Sequence, residues 1–211
     1  LLGEGKVELS LTNDGLEIKA DGKVTNIKGI AATEFPLIPK LTKGGAYQME
    51  AEPLRQALQQ VAFAVSTSDS RPELAGVACY FHTAGGRDTL MLASTDSYRL
   101  SERKLSLVTG GNQAEAKCIV PARAVQEIAR ILASYKDDVA MPEKIDWAMA
   151  ENQLAISFGS VELVSRLIEG SFPDYKRIIP TQFRTHCRVK RTELMRAIRA
   201  SSLFSRQGIY D

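Results

Sequence analysis

Leu54-Arg55-Gln56-Ala57-Leu58 and Leu194-Met195-Arg196-Ala197-Ile198 stand 140 positions apart and share their apolar, polar and small places except the second, where Met195 stands against Arg55. In the first, Leu54, Leu58, Val61, Ala62 and Val65 recur at helical spacing after Glu52-Pro53, where proline suits a first helical turn. The spacing predicts two related helices, each preceded by a short strand. Their connectors repeat as well: Phe35-Pro36 and Phe172-Pro173 are 137 positions apart, and each pair closes a run of strands. A weaker half-period lies inside this interval. Ala124, Val125, Ile128, Ile131 and Leu132 form a further apolar stripe about 70 positions after the first, preceded by a strand from Ala116 to Val120 and by Pro121.

Strands fill the space between these helices. Val7, Leu9 and Leu11 alternate with polar residues, Asn13-Asp14-Gly15 is a hairpin signal, Leu16 and Ile18 resume the alternation, and Asp21-Gly22 turns into Val24 to Ile30. This pattern predicts antiparallel hairpins with one face buried. Tyr47 to Ala51, Leu74 to His82, Thr89 to Ala93 and Arg99 to Leu107 read as strands around Gly85-Gly86. After Gly110-Gly111 and the second helix come Asp138 to Met141, Ile145 to Ala150, Leu154 to Phe158 and Val161 to Arg166, with Glu151-Asn152 and Gly159-Ser160 as turns. The class is α+β, built from a repeated unit of one strand, one helix and three or more strands. Residues 1–44 read as the end of a preceding copy plus connector, with Lys43-Gly44-Gly45 at the boundary. Residues 45–171 read as one complete domain, and residues 172–211 as a connector and the start of a third copy.

Composition bounds the chemistry. The 211 residues are awkward for either one average domain or two, and an apolar share of 44% with 25% charged residues supports a packed core. No apolar run approaches the ~20 residues of a membrane helix, and the first residues lack a signal-peptide pattern, so a soluble cytoplasmic protein is expected. Cys79, Cys118 and Cys187 form no C-x-x-C pair, which predicts buried or reduced thiols rather than disulfides or zinc ligands. His82, ending a strand, reads as a solvated histidine, and His186 is distant in sequence. Asp96 reads as a turn cap. Neither a nucleophile elbow nor a phosphate loop, dinucleotide fingerprint or zincin helix is present, so the sequence predicts no enzyme, no cofactor and no metal.

Charge is unevenly spread. Residues 176–211 carry +7 while the rest carries −5, within a total of +2. Arg55, Arg123, Arg130, Arg196 and Arg199 fall on the polar helix faces, where they suit sequence-independent contact with phosphates, or form solvated faces of an interaction module.

Several strings carry a resemblance. Phe63-Ala64-Val65-Ser66 with Arg71-Pro72-Glu73-Leu74-Ala75-Gly76-Val77, Ser94-Thr95-Asp96-Ser97-Tyr98-Arg99-Leu100, Ile119-Val120-Pro121-Ala122-Arg123-Ala124 and Leu167-Ile168-Glu169-Gly170-Ser171-Phe172-Pro173-Asp174-Tyr175 occur in order along the chain. Together they resemble the bacterial DNA sliding clamps, the β subunits of DNA polymerase III. The resemblance implies a DNA clamp fold, with antiparallel sheets outside and helices lining the inner face of a ring. It implies a head-to-tail homodimer of three-domain protomers, which a clamp loader places on duplex DNA and which tethers DNA polymerase III and other replication and repair proteins without catalysis. It also implies a peptide-binding pocket between domains two and three, with Leu74, Thr95, Ser97, Tyr98, Arg99, Leu100, Pro173, Arg177 and Ile178 in it. Arg55, Arg123, Arg130, Arg196 and Arg199 become the DNA-facing set. Two departures stand out. Ser97-Tyr98 occupies a place where many members have Gly-His, and the tail of domain three that completes the family pocket is absent, so this stretch alone is not expected to close a ring.

Overall fold

The computed structural model describes residues 6–12, 15–35, 46–68, 70–82, 88–108, 115–135, 142–150 and 152–204. Asn13-Asp14, Pro36, Lys43-Gly44-Gly45, Gly85-Gly86, Gly110-Gly111, Asp138 to Met141 and Glu151 lie outside the described residues. The chain divides into two compact units, Leu1–Phe172 and Pro173–Asp211.

The first unit begins with β1 (Glu8–Thr12), β2 (Gly15–Ala20) and β3 (Lys23–Lys28), an antiparallel meander. Asp21 and Gly22 both have positive φ, 49° and 73°, as the tight turn between β2 and β3 requires. The register puts Leu9 opposite Ile18, and Leu11 and Ile27 opposite Leu16, so one face is apolar as the alternation predicts. Its burial is not borne out. Leu11 is 92% exposed and Leu9 and Ile27 are exposed too, while Leu16 and Ile18 of the central strand are half-buried.

The heart of the unit is a doubled motif. β4 (Ala46–Glu50) and α1 (Ala51–Ala62) lead into β5 (Gly76–Phe81), β6 (Thr89–Thr95) and β7 (Leu100–Ser106). β8 (Ala116–Pro121) and α2 (Ala122–Ser134) lead into β9 (Lys144–Ala150), β10 (Gln153–Phe158) and β11 (Val161–Arg166). The half-period of the sequence is therefore structural. The leading strands are exchanged: the sheets run β7-β6-β5-β8 and β11-β10-β9-β4, all antiparallel. Each helix begins where this exchange happens. The Ala51 N–H donates to the Glu143 carbonyl at 3.0 Å and the Ala122 N–H to the Ala75 carbonyl at 3.1 Å, so each helix has an otherwise orphan first-turn donor satisfied by the opposite half.

The helices pack on one another and on both sheets. Leu54, Ala57, Leu58 and Val61 of α1 and Val125, Ile128, Ala129 and Leu132 of α2 share one core with Phe81, Leu90, Leu92, Ile145, Trp147, Leu154 and Ile156. Each fully buried leucine among them contributes roughly 2 kcal/mol. Trp147 meets Phe81 edge to face at 6.0 Å. Gly76 lets β5 approach β8: an added Cβ would lie 2.5 Å from the Val120 carbonyl oxygen.

Among its described residues the second unit holds a 3-10 turn, Tyr175–Ile178, and α3 (Arg191–Ser202). The helix over the repeated stretch is present, but the strand expected before it is not. In the doubled motif a leading strand pairs with strands of the other half, and no such partner lies among the described residues of this unit. Leu194, Met195 and Ile198 of α3 are accordingly exposed.

Candidate functional site

Amphipathic spacing buries one stripe of each helix and turns the arginines outward. Arg123 and Arg130 of α2 are exposed, as are Arg196 and Arg199 of α3, while Arg55 of α1 is half-buried. Two of the five are neutralised within their own helix. Arg55 donates through Nε to Glu52 Oε2 at 2.7 Å and through Nη1 to Gln59 at 3.3 Å. Arg130 donates through Nε and Nη2 to the two carboxylate oxygens of Glu127, at 2.9 and 2.6 Å. Hydrogen bonds from Arg55 and then Gln56 hold the Glu52 carboxyl down at about 2. Arg130, and more weakly the charge of Arg123, lowers Glu127 as well. Among the described residues Arg123 has no ion-pair partner. The outer faces of α1 and α2 thus carry less net positive charge than their arginines alone suggest.

The segment joining β6 to β7 is a polar turn built by its own side chains. Asp96 Oδ1 accepts the N–H groups of Tyr98 and Arg99 at 3.0 and 2.9 Å, and its Oδ2 accepts Arg99 Nε at 2.9 Å. These bonds, the Arg99 N–H first, pull its carboxyl below the ordinary range. Asp96 is the turn cap that the sequence predicts. Thr95 Oγ1 donates to the Arg99 carbonyl at 2.7 Å and accepts the Ser97 N–H at 3.1 Å. Ser97 sits at φ +80°, in the left-handed region that glycine adopts without strain. Tyr98 is 99% exposed, while Leu100 is half-buried.

Leu74 lies in a 3-10 turn, Pro72–Leu74, rather than in the strand predicted there, since Pro72 opens the turn and β5 starts only at Gly76. Its side chain is 1% exposed and belongs to the packed interior. Arg71, which no sequence pattern marked as a contact, reaches the turn: its Nη1 donates to Ser97 Oγ at 3.3 Å while its Nε pairs with Glu73 at 3.1 Å. The string Arg71-Pro72-Glu73-Leu74 was the only signal for it.

In the second unit, Pro173 is half-buried and its carbonyl accepts the Tyr175 N–H at 2.8 Å. Arg177, exposed, pairs with Asp174 at 2.8 Å, and Ile178 is exposed. A separate cleft of about 310 Å³ in the first unit is lined by Tyr80, Lys117, Ile119, Asn152 and Ile168 among others, and none of the nine pocket candidates lines it.

The three cysteines are free thiols, Cys79 buried, Cys118 partly so and Cys187 exposed. One other expectation is corrected. His82 is not a solvated strand end: it is half-buried, its Nδ1 accepts the Asp88 N–H at 3.1 Å, and its ring lies 5.5 Å from that of Tyr47. Among the described residues no group of three or more His, Cys, Asp or Glu side chains could hold a metal ion, and no helix is long and apolar enough to cross a membrane.

A doubled strand-helix-three-strand motif, with two helices side by side against two sheets that trade leading strands, defines the sliding-clamp fold. The fold matches the crystal structure of the DNA polymerase sliding clamp from Bacillus subtilis with a TM-score of 0.83 and 29% identity, over 100% of this chain and 53% of that one. It also matches a Helicobacter pylori β clamp bound to a DNA ligase peptide, at a TM-score of 0.80 and 24% identity, over 97% of this chain and 54% of that one. Residues 48–174 match the central domain of the DNA polymerase III β subunit, and the chain belongs to that family. A β sliding clamp of Staphylococcus aureus (strain Mu50) is 32% identical over 183 residues, which are 87% of this chain and 45% of the relative. The chain therefore spans about half the length of the relatives that it matches.

Proposed function

We propose that this sequence serves, within a full-length β subunit, as part of a non-catalytic ring that encircles duplex DNA, slides on it and tethers replication and repair proteins. On this reading residues 1–44 belong to clamp domain one, residues 45–171 form domain two, and residues 172–211 open domain three. Membership of the family over residues 48–174 carries the reading. Arg55, Arg123, Arg130, Arg196 and Arg199 face the DNA, where diffuse charge holds phosphates without reading bases and so permits sliding. Leu74, Thr95, Ser97, Tyr98, Arg99, Leu100, Pro173, Arg177 and Ile178 serve the binding of a short apolar peptide, as of DNA polymerase III, a clamp loader or a DNA ligase. The working form is a head-to-tail homodimer in the cytoplasm, at the nucleoid. Retention tests the ring: the full-length protein loaded on nicked circular DNA is expected to run off once the circle is cut, and persistence on the linear product overturns encirclement. Arg177→Glu is expected to abolish binding of a DNA ligase peptide in calorimetry, and an unchanged affinity removes Arg177 from the site.

One observation favours a second reading, an interaction module that does not encircle DNA: Glu52 and Glu127 already occupy Arg55 and Arg130. Equal salt dependence of DNA binding in the unsubstituted protein and an Arg123→Ala, Arg130→Ala double variant would support that reading.

A further inference from the structure

The turn from Thr95 to Leu100 is fastened to the end of α1. Ser94 in β6 and Ser101 in β7 face each other across the ladder, immediately below the turn. Their hydroxyls reach the same helix terminus: Ser94 Oγ donates to the Val61 carbonyl at 2.5 Å and Ser101 Oγ to the Gln60 carbonyl at 2.7 Å. Both carbonyls belong to the last four of α1, beyond the reach of regular i+4 helix bonding, and the Val61 carbonyl also accepts the Ala64 N–H at 3.1 Å. Beyond them, the Arg99 guanidinium lies 5.5 Å from the centre of the Phe63 ring, at the residue that caps α1. Two cross-strand hydroxyls and one cation–π contact therefore fix both flanks and the crown of the turn to one helix end.

We propose that Ser94, Ser101 and Phe63 are positioning residues of the peptide site, holding Thr95 to Leu100 in its binding geometry through the C-terminus of α1. The inference rests on the reading of that turn as a peptide site. The chemistry is local. Ser94 is wholly buried, so its hydroxyl bond is shielded from water, and its loss leaves the Val61 carbonyl with one acceptor bond fewer in the interior. Removing Phe63 leaves Asp96 as the remaining hold on the Arg99 guanidinium and breaks the link from the turn to the end of α1, without disturbing any backbone bond.

The test uses a full-length β subunit carrying this sequence and a fluorescein-labelled DNA ligase peptide. Ser94→Ala, Ser101→Ala and Phe63→Ala are each expected to weaken peptide binding about five-fold, as the loss of one modest contact does. Ser101→Thr, which restores a hydroxyl, is expected to recover the affinity, and retention on circular DNA is expected to be unchanged in all of them. Phe63 is exposed, so its variant keeps the test open should Ser94→Ala fail to fold. Leu100→Glu separates the two levels. If it abolishes binding while Ser101→Ala and Phe63→Ala bind within two-fold of the unsubstituted protein, the positioning role is overturned and the peptide site stands. If Leu100→Glu also binds normally, the site and the inference fall together.

Discussion

Glu127 grips Arg130 from one helical turn away, taking Nε and Nη2 on its two carboxylate oxygens at 2.9 and 2.6 Å. A phosphate that approaches Arg130 competes with this carboxylate. Glu127→Gln is therefore expected to raise the affinity of the full-length protein for duplex DNA and to steepen the logarithmic salt dependence by up to about 1, the contribution of one more phosphate contact. Fluorescence anisotropy across a salt series measures both, and a shallower slope would contradict the expectation.

Acid should loosen the fold through the same kind of pair. Glu52 is held at about 2 against an ordinary 4.5, and Glu73, Asp96 and Glu127 are lowered too. The unfolded chain takes up these protons first, so the stabilisation is complete above about pH 4.5 and is lost as pH falls toward 2. Melting temperature is expected to decline over that window, and Glu52→Gln is expected to flatten the decline.

Ser97 at φ +80° marks strain that its neighbours hold in place. Ser97→Gly is expected to stabilise the chain by ~0.5–1 kcal/mol in urea denaturation, the relief of a left-handed residue less the added freedom of the unfolded glycine. The exposed 3.3 Å contact from Arg71 is a small loss beside it.

Gly76 has the opposite sensitivity. A methyl group there meets the Val120 carbonyl at 2.5 Å and Ile168 Cδ1 at 2.9 Å, so Gly76→Ala is expected to cost ~1–3 kcal/mol in the same measurement. An unchanged midpoint would show that β8 yields without cost.

Local spacing made the helices and most strands legible, because α1 and α2 each bury one stripe and Asp21-Gly22 and Asp96 act on their immediate neighbours. The trade of β4 and β8 was not legible, since Tyr47 pairs with Trp147 and no local pattern specifies so distant a partner. Alternation identified the apolar face of β1 to β3 but carries no information about what lies over it. At the candidate site, the arginines were visible one by one. Their neutralisers stood three residues before them, Glu52 before Arg55 and Glu127 before Arg130, and only the joined side chains reveal how much charge remains. The serine fastening depends on Ser94 and Ser101 meeting a helix end 33 and 41 positions earlier, which a linear reading does not bring together.

The exchanged strands bear on how this segment comes apart. With β4 inserted beside β9 and β8 beside β5, severing the chain between β7 and β8 would leave each half with a foreign strand and a sheet short of its edge. Neither half is a separable building block. The doubled motif should therefore melt in one step, as a single cooperative unit.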